Sequence, residues 1–216
     1  MKQAVIVSGG RADTEFCKDY MRRHPADVAI AVDSGLCFFK EAGILPDIAV
    51  GDFDSVDQET LSFFEAQPGI FWIRLIPEKD DTDTEAAVRR AIADGCGRIH
   101  LLGGTGSRLD HVLGNIQLLG IGLKEGTEIL LVDQKNRIRM LDRGLTLLKE
   151  EQFGSFVSLI PFTPKVTGVT LTGMKYPLTE YTLECFCSIG VSNEIVEEEA
   201  RISFREGILL ALETRD

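Results

Sequence analysis

In the first part of the chain, short continuous apolar runs alternate with amphipathic stretches. Residues 4–7, 28–32, 48–50, 70–76, 98–102 and 128–132 are apolar runs of strand length. The most continuous, Val28-Ala29-Ile30-Ala31-Val32, suits a strand buried on both faces of a parallel sheet. Between them, apolar residues recur at helical spacing, as Phe16, Tyr20 and Met21 do over 13–23. Further helices are predicted over 36–42, closed by Gly43, and over 60–66, 84–94 and about 107–119. In the last of these, Leu109, Val112, Leu113 and Ile116 form the expected buried stripe. Strands alternating with helices across short loops predict an open, mainly parallel α/β sheet.

Past residue 133 the pattern changes. Segments 137–141, 145–149, 155–161, 166–172, 181–188, 200–204 and 208–213 are short, rich in Val, Ile, Thr and Phe, and separated by Gly, Pro or Asn. They predict a small all-β sandwich or barrel. The expected boundaries are 1–133 for the α/β domain and 134–216 for the all-β domain. Cys185 and Cys187 would alternate along one of these strands and face one side as small buried hydrophobes.

Composition narrows the partners. With 216 residues, 44% of them hydrophobic and 26% charged, the chain can build a substantial core. A formal net charge of −11 argues against nucleic-acid backbones and anionic membranes. An anionic ligand would need a metal, backbone N–H groups or local Arg and Lys. No apolar run approaches the ~18 residues of a membrane span, and the apolar start is too short for a signal peptide. The five cysteines form no C-x-x-C pair, so neither a disulfide framework nor a zinc site is indicated. A soluble cytoplasmic protein is expected.

The polar, glycine-rich segments all fall at the carboxyl ends of predicted strands, where open α/β sheets bind ligands. They are Ser8-Gly9-Gly10-Arg11, Asp33-Ser34-Gly35, Gly51-Asp52-Phe53-Asp54-Ser55, the stretch 79–83 and the run from Gly103 to Asp110. If the backbone stays extended, Asp52 and Asp54 project to one side and Phe53 to the other. Two such carboxylates on a short loop suit Mg²⁺, although a solvated acidic turn is the bland alternative. Asp80, Asp81 and Asp83 precede a helix in which Thr82 and Glu85 fit a capping box. Capping accounts for one or two of these acids; three beside a second acidic loop are more simply explained by a divalent cation.

Gly103-Gly104-Thr105-Gly106 can present N–H groups to a phosphate but lacks the Lys-Ser/Thr of a Walker A loop. Arg108, His111 and Asn115 share a helix face, and Arg108 suits phosphate charge. Asp110 has an alternative as capping-box partner of Ser107, and His111 as a packing histidine. Judged by physics alone, Lys175-Tyr176 and Ser192-Asn193-Glu194 are turn and edge residues.

Together these motifs resemble the thiamine pyrophosphokinase family. They are Gly51-Asp-Phe-Asp-Ser55, Asp80-x-Thr-Asp83, Gly103-Gly-x-Gly-x-Arg-x-Asp110, Gly173-Met-Lys-Tyr176 and Ser192-Asn193. The resemblance covers nearly the whole chain. It implies a Rossmann-like α/β domain for ATP and Mg²⁺, followed by an all-β sandwich for thiamine. The implied reaction moves the diphosphoryl group of ATP to the hydroxyl of thiamine, in a homodimer with active sites at the subunit interface.

By the same resemblance, Asp52, Asp54 and Asp80 are the Mg²⁺ ligands and Asp83 belongs to their cluster. Arg108 and Asp110 match the family's nucleotide and thiamine contacts, and Asp33 and Gly104, at the carboxyl ends of their strands, are expected to bind ligand beside them. Ser192 and Asn193 stand near the thiamine pyrimidine, and Tyr176 stands where many members carry a stacking tryptophan. One carboxylate of Asp52, Asp54, Asp83 and Asp110 is to accept the hydroxyl proton; sequence leaves open which. The alternatives are a pterin-type diphosphokinase and a non-catalytic thiamine- or nucleotide-binding protein.

Overall fold

The computed structural model describes residues 1–10, 12–76, 80–106 and 108–216. Arg11, Lys79 of the stretch 79–83, and Ser107 lie outside the described residues. The chain divides into two compact units, Met1–Gln134 and Lys135–Asp216.

Among the described residues, the first unit holds six strands: β1 (Gln3–Val7), β2 (Val28–Val32), β3 (Ile48–Gly51), β4 (Phe71–Arg74), β5 (Arg98–Leu102) and β6 (Glu128–Val132). They lie in the order β4-β3-β2-β1-β5-β6, every pair parallel. Ala4, Ile6, Val7, Ile30, Ala31, Ala49, Val50, Ile99, Leu101 and Leu102 have no exposed surface, as expected of strands covered on both faces.

Five helices connect them: α1 (Thr14–Arg23), α2 (Gly35–Ala42), α3 (Gln58–Glu65), α4 (Asp83–Ala93) and α5 (Leu109–Glu125). Helix α2 packs with α1 and α3, and α4 packs with α5. Right-handed crossovers put the first three on one face: the chain runs outward from β1 to β4, then returns past β1 to β5 and β6. Three of the starts are capped by side chains, the one at Thr82 as its capping-box pattern predicts. Asp13 accepts from Phe16 N, Asp57 from Thr60 N and Thr82 from Glu85 N.

Helix α5 departs from expectation. It continues to Glu125, where Gly126 at φ 71° ends it. Its buried side is Asn115, Leu118, Leu119 and Gly122, whereas Leu109 is 77% and Leu113 63% exposed. The face lies against the sheet through Gly122, where a Cβ would sit 2.8 Å from Ile129 Cγ1. The predicted stripe therefore holds only in part, because close approach at a glycine decides which side of the helix turns inward.

The second unit holds seven strands: β7 (Asn136–Leu141), β8 (Leu145–Leu148), β9 (Phe156–Pro161), β10 (Lys165–Thr172), β11 (Leu178–Glu184), β12 (Glu199–Ser203) and β13 (Leu209–Thr214). One antiparallel sheet runs β7-β13-β9 and another β11-β10-β12-β8. Both contribute to one core, including Leu141, Val157, Leu159, Ala211, Val166, Val169, Leu183 and Ile202. Strand β11 ends at Glu184, so Cys185 and Cys187 are not on a strand. Cys187 is exposed and Cys185 half-buried, because Phe186 takes φ 67° and turns the chain outward.

At one end of this core, the carboxylate of Glu213 is 1% exposed. It accepts Arg137 Nε at 2.9 Å, Arg137 Nη2 at 2.6 Å, Arg139 Nη2 at 2.9 Å and the Phe153 N–H at 3.3 Å. A charge so deeply desolvated is held by this set of donors.

Candidate active site

In the first unit, strand order reverses between β1 and β5, and a crevice opens beyond the carboxyl ends of the strands there. A cleft of about 270 Å³ occupies this place. The loop after β1 supplies Ser8, Gly9 and Gly10, and the loop after β2 supplies Asp33 and Ser34. Ser55 comes from the acidic loop, and Thr82, Asp83 and Thr84 from the start of α4. Gly103, Gly104, Arg108, His111 and Asn115 complete the wall.

The two glycine loops support each other. Gly10 N donates to Gly103 O at 2.9 Å, and Ser8 N to Leu102 O at 2.9 Å. Gly103 sits at φ 64°, and a Cβ there would run into the Ser8 carbonyl. The buried Asn115 donates Nδ2 to Gly104 O at 2.8 Å, and Thr105 Oγ1 donates to Asp133 Oδ2 at 2.6 Å. Ser8 and Thr84 hydroxyls lie 2.7 Å apart, joining the β1 loop to the first turn of α4. A loop held this closely keeps its free N–H groups oriented for an anion.

On the opposite wall, the acidic loop is not extended. Gly51 takes φ 149° and Phe53 φ 63°, so the expectation that Asp52 and Asp54 project together from an extended chain fails. Asp54 N instead donates to Asp52 Oδ1 at 3.2 Å, an Asx turn. Gly51 is required because a Cβ there would strike the Asp33 carboxylate. That carboxylate accepts the Phe53 N–H at 3.3 Å.

Asp33 is the most perturbed carboxyl of the cleft. Burial raises it first, then the charge of Asp83, then a hydrogen bond with the Asp83 side chain and the charge of Asp52. The Phe53 N–H opposes these, and the result stands at about 7. Half-buried acids in contact, with one kept protonated, mark a place short of positive charge. A divalent cation with phosphate oxygens fits that shortage, since Mg²⁺ needs only one or two carboxylates from a protein. Among the described residues, however, no group of three or more His, Cys, Asp or Glu side chains is close enough to hold a metal ion. Asp52, Asp54 and Asp80 are thus not gathered into one ligand set, and Asp54 and Asp80 are exposed.

Arg108 and Asp110 are paired with each other, at 3.1 Å and 2.5 Å. Arg108 lines the cleft and is itself the N-cap of α5. The Arg108 hydrogen bonds hold the Asp110 carboxyl below its ordinary range.

In the second unit, Asn193 is buried and its amide is largely committed. Oδ1 accepts from Tyr176 N and Glu194 N, each at 2.9 Å, and Nδ2 donates to Tyr176 O at 2.8 Å. Asn193 therefore fixes the Tyr176 backbone. Tyr176 is 58% exposed, with Lys175 Nζ 5.6 Å from its ring centroid. Ser192 takes φ 59° and donates its N–H to Ser158 Oγ at 2.9 Å.

A family model described as "Thiamin pyrophosphokinase, catalytic domain" matches residues 21–131, and one described as "vitamin B1 binding domain" matches 145–209. The chain belongs to the thiamin pyrophosphokinase family. It is 37% identical to the thiamine pyrophosphokinase of Bacillus subtilis (strain 168), with all of both chains covered. The crystal structure of a thiamine pyrophosphokinase from Bacillus subtilis superimposes with a TM-score of 0.90 at 33% identity, covering 100% of each chain. A thiamin pyrophosphokinase from Geobacillus thermodenitrificans gives 0.85 at 32% identity, covering 99% of this chain and 98% of that one. The catalytic-domain match contains every cleft residue except those of the β1 loop. Tyr176, Ser192 and Asn193 fall in the vitamin-binding match.

Proposed function

We propose that the cleft between the glycine loops and the acidic loop seats the polyphosphate of ATP and Mg²⁺, and that the second unit selects thiamine. As a member of the thiamin pyrophosphokinase family, the chain forms thiamine diphosphate at the expense of ATP. The thiamine hydroxyl oxygen attacks the β-phosphorus, the bond from Pβ to the bridging oxygen breaks, and AMP leaves with that oxygen. The hydroxyl proton passes to a carboxylate, for which Asp83 and Asp52 are the candidates inside the charge-starved cluster. The single observation that carries this reading is the convergence of both glycine loops, Asp33, Asp83 and Arg108 on one cleft at the switch point of the sheet.

Positioning and charge neutralisation provide most of the rate in such transfers. The N–H groups of Gly9 and Gly104 face phosphate oxygens, and Arg108 leaves Asp110 for the added negative charge. Mg²⁺ would take one or two carboxylates from the separate Asp52, Asp54 and Asp80 and its remaining ligands from the phosphates, beside the Asp33–Asp83 pair; bound there, the ion would neutralise charge on the phosphate oxygens. Tyr176 presents its ring to thiamine, and Asn193 fixes that ring's backbone.

A homodimer is part of the proposal. Exposed Leu109 and Leu113 on α5, and Phe186, Ile189 and Val191 in the second unit, support self-association. Light scattering coupled to size exclusion measures it directly. Five free thiols suit the reducing cytoplasm. The active-site reading is tested with Asp54→Asn, which should abolish Mg²⁺-dependent thiamine diphosphate formation while leaving the circular dichroism spectrum unchanged. A rate near that of the unaltered chain would remove the acidic loop from the site.

A further inference from the structure

Phe53 combines two features that rarely coincide. It is a bulky residue held at φ 63°, and it is only 3% exposed. Left-handed backbone is disfavoured for such a residue and persists only where the surroundings over-determine it. Here the surroundings come from β4. The Trp72 ring meets Phe53 edge-on, with centroids 5.1 Å apart and an interplanar angle of 71°. The Arg74 guanidinium lies 5.5 Å from the Phe53 centroid and 5.1 Å from that of Trp72. Arg74 stands opposite Gly51 in the β3–β4 register, and Leu75 N donates to Gly51 O at 2.9 Å. Glu65 of α3 holds the far side of the guanidinium in an ion pair. The ring cluster therefore grips the acidic loop from behind, while Asp33 grips it from the cleft side through the Phe53 N–H.

We propose that Phe53, Trp72 and Arg74 are positioning residues that hold the strained turn in which Asp52 and Asp54 are presented to Mg²⁺. The proposal rests on the metal–ATP reading of the cleft and deepens it. Ordinary core packing would stabilise the fold without depending on the metal. A positioning role instead makes the Mg²⁺ requirement depend on the cluster. Trp72 is the only tryptophan of the chain, so its emission reports the same turn without any turnover.

The test uses the full-length chain, Mg²⁺ and α,β-methylene-ATP, which cannot be cleaved at the reacting bond. In the unaltered chain, Mg²⁺ added with the analogue should change Trp72 emission in a saturable way. Arg74→Met and Phe53→Leu should raise the Mg²⁺ concentration at the midpoint by about 3- to 10-fold, the range expected for loss of one aromatic or cation–π contact. In activity assays the deficit of Arg74→Met should shrink as Mg²⁺ is raised, with thiamine KM unchanged. Arg74→Met is the informative variant if Phe53→Leu fails to fold, because the Arg74 side chain is 53% exposed. Midpoints equal to that of the unaltered chain in folded Arg74→Met would overturn the proposal. So would an emission that ignores Mg²⁺ while Mg²⁺ drives turnover. Asp54→Asn, run alongside, should give no saturable response; a normal response there would instead overturn the underlying metal reading.

Discussion

Replacing Asp33 by Asn should make the metal-free chain more stable and the enzyme worse. The unfolded side chain ionises near its ordinary 3.8, whereas the folded one keeps its proton to about 7. Between those values the native state binds more protons than the unfolded state, so stability falls as pH rises through the window. The contribution is fully present below the lower value and lost above the higher one. A gap of about three pH units at ~1.4 kcal/mol each bounds the loss at ~4 kcal/mol. Partial access to solvent reduces it to about 2 kcal/mol.

Asn keeps an oxygen for the Phe53 N–H and offers an amide to Asp83, but it cannot ionise. In EDTA at about pH 8, Asp33→Asn should therefore gain ~2 kcal/mol, and about half that near pH 5.5. Urea unfolding followed by Trp72 emission reads this directly, since that tryptophan lies in the first unit. Mg²⁺ with ADP should then stabilise the unaltered chain more than the variant. A variant no more stable than the unaltered chain at pH 8 would refute the claim that the cleft carries uncompensated negative charge.

Other positions have equally definite consequences. Asn115→Ala leaves the buried Gly104 carbonyl without its donor and should cost ~1–3 kcal/mol. The same variant should raise the KM for ATP but not for thiamine, as steady-state kinetics with each substrate varied will show. Glu213→Gln removes the charge facing Arg137 and Arg139 and should destabilise the second unit by ~3–5 kcal/mol. Calorimetry of the full chain would register the lower transition, and an unchanged transition would mean the triad contributes nothing net. The Cys17 thiol, pushed up to about 12 mainly by burial, should stay unmodified by iodoacetamide at neutral pH while the exposed Cys187 reacts, as peptide mass mapping will reveal.

Much of this architecture is written in the apolar pattern. Most inner strands of the first unit are short runs rich in Val, Ile, Leu and Ala, which suit a parallel sheet covered on both faces, whereas the edge strand β4 is exposed or half-buried throughout. The cap at Thr82 and the stop at Gly43 are local chemistry and so are legible locally. The ends of β11 and the buried side of α5 are not, because a positive φ at Phe186 and a close approach at Gly122 depend on partners distant in sequence. The same divide runs through the site. The positions of the glycine loops and aspartates at strand ends could be read from the chain. The turn at Phe53 could not, since an alternating Asp-Phe-Asp triplet suggests an extended strand until Trp72 and Arg74 are known to trap the ring. Asn193 shows the converse: a residue singled out for ligand contact spends most of its amide on the Tyr176 backbone.

The central claim is diphosphoryl transfer from a cleft that neutralises phosphate charge. Incubating the chain with Mg²⁺, thiamine and ATP, and following the products by phosphorus NMR, tests it most directly. Thiamine diphosphate and AMP should appear in equal amounts, and neither should form without thiamine or Mg²⁺. Formation of ADP with thiamine monophosphate, or thiamine-independent loss of ATP, would contradict the account.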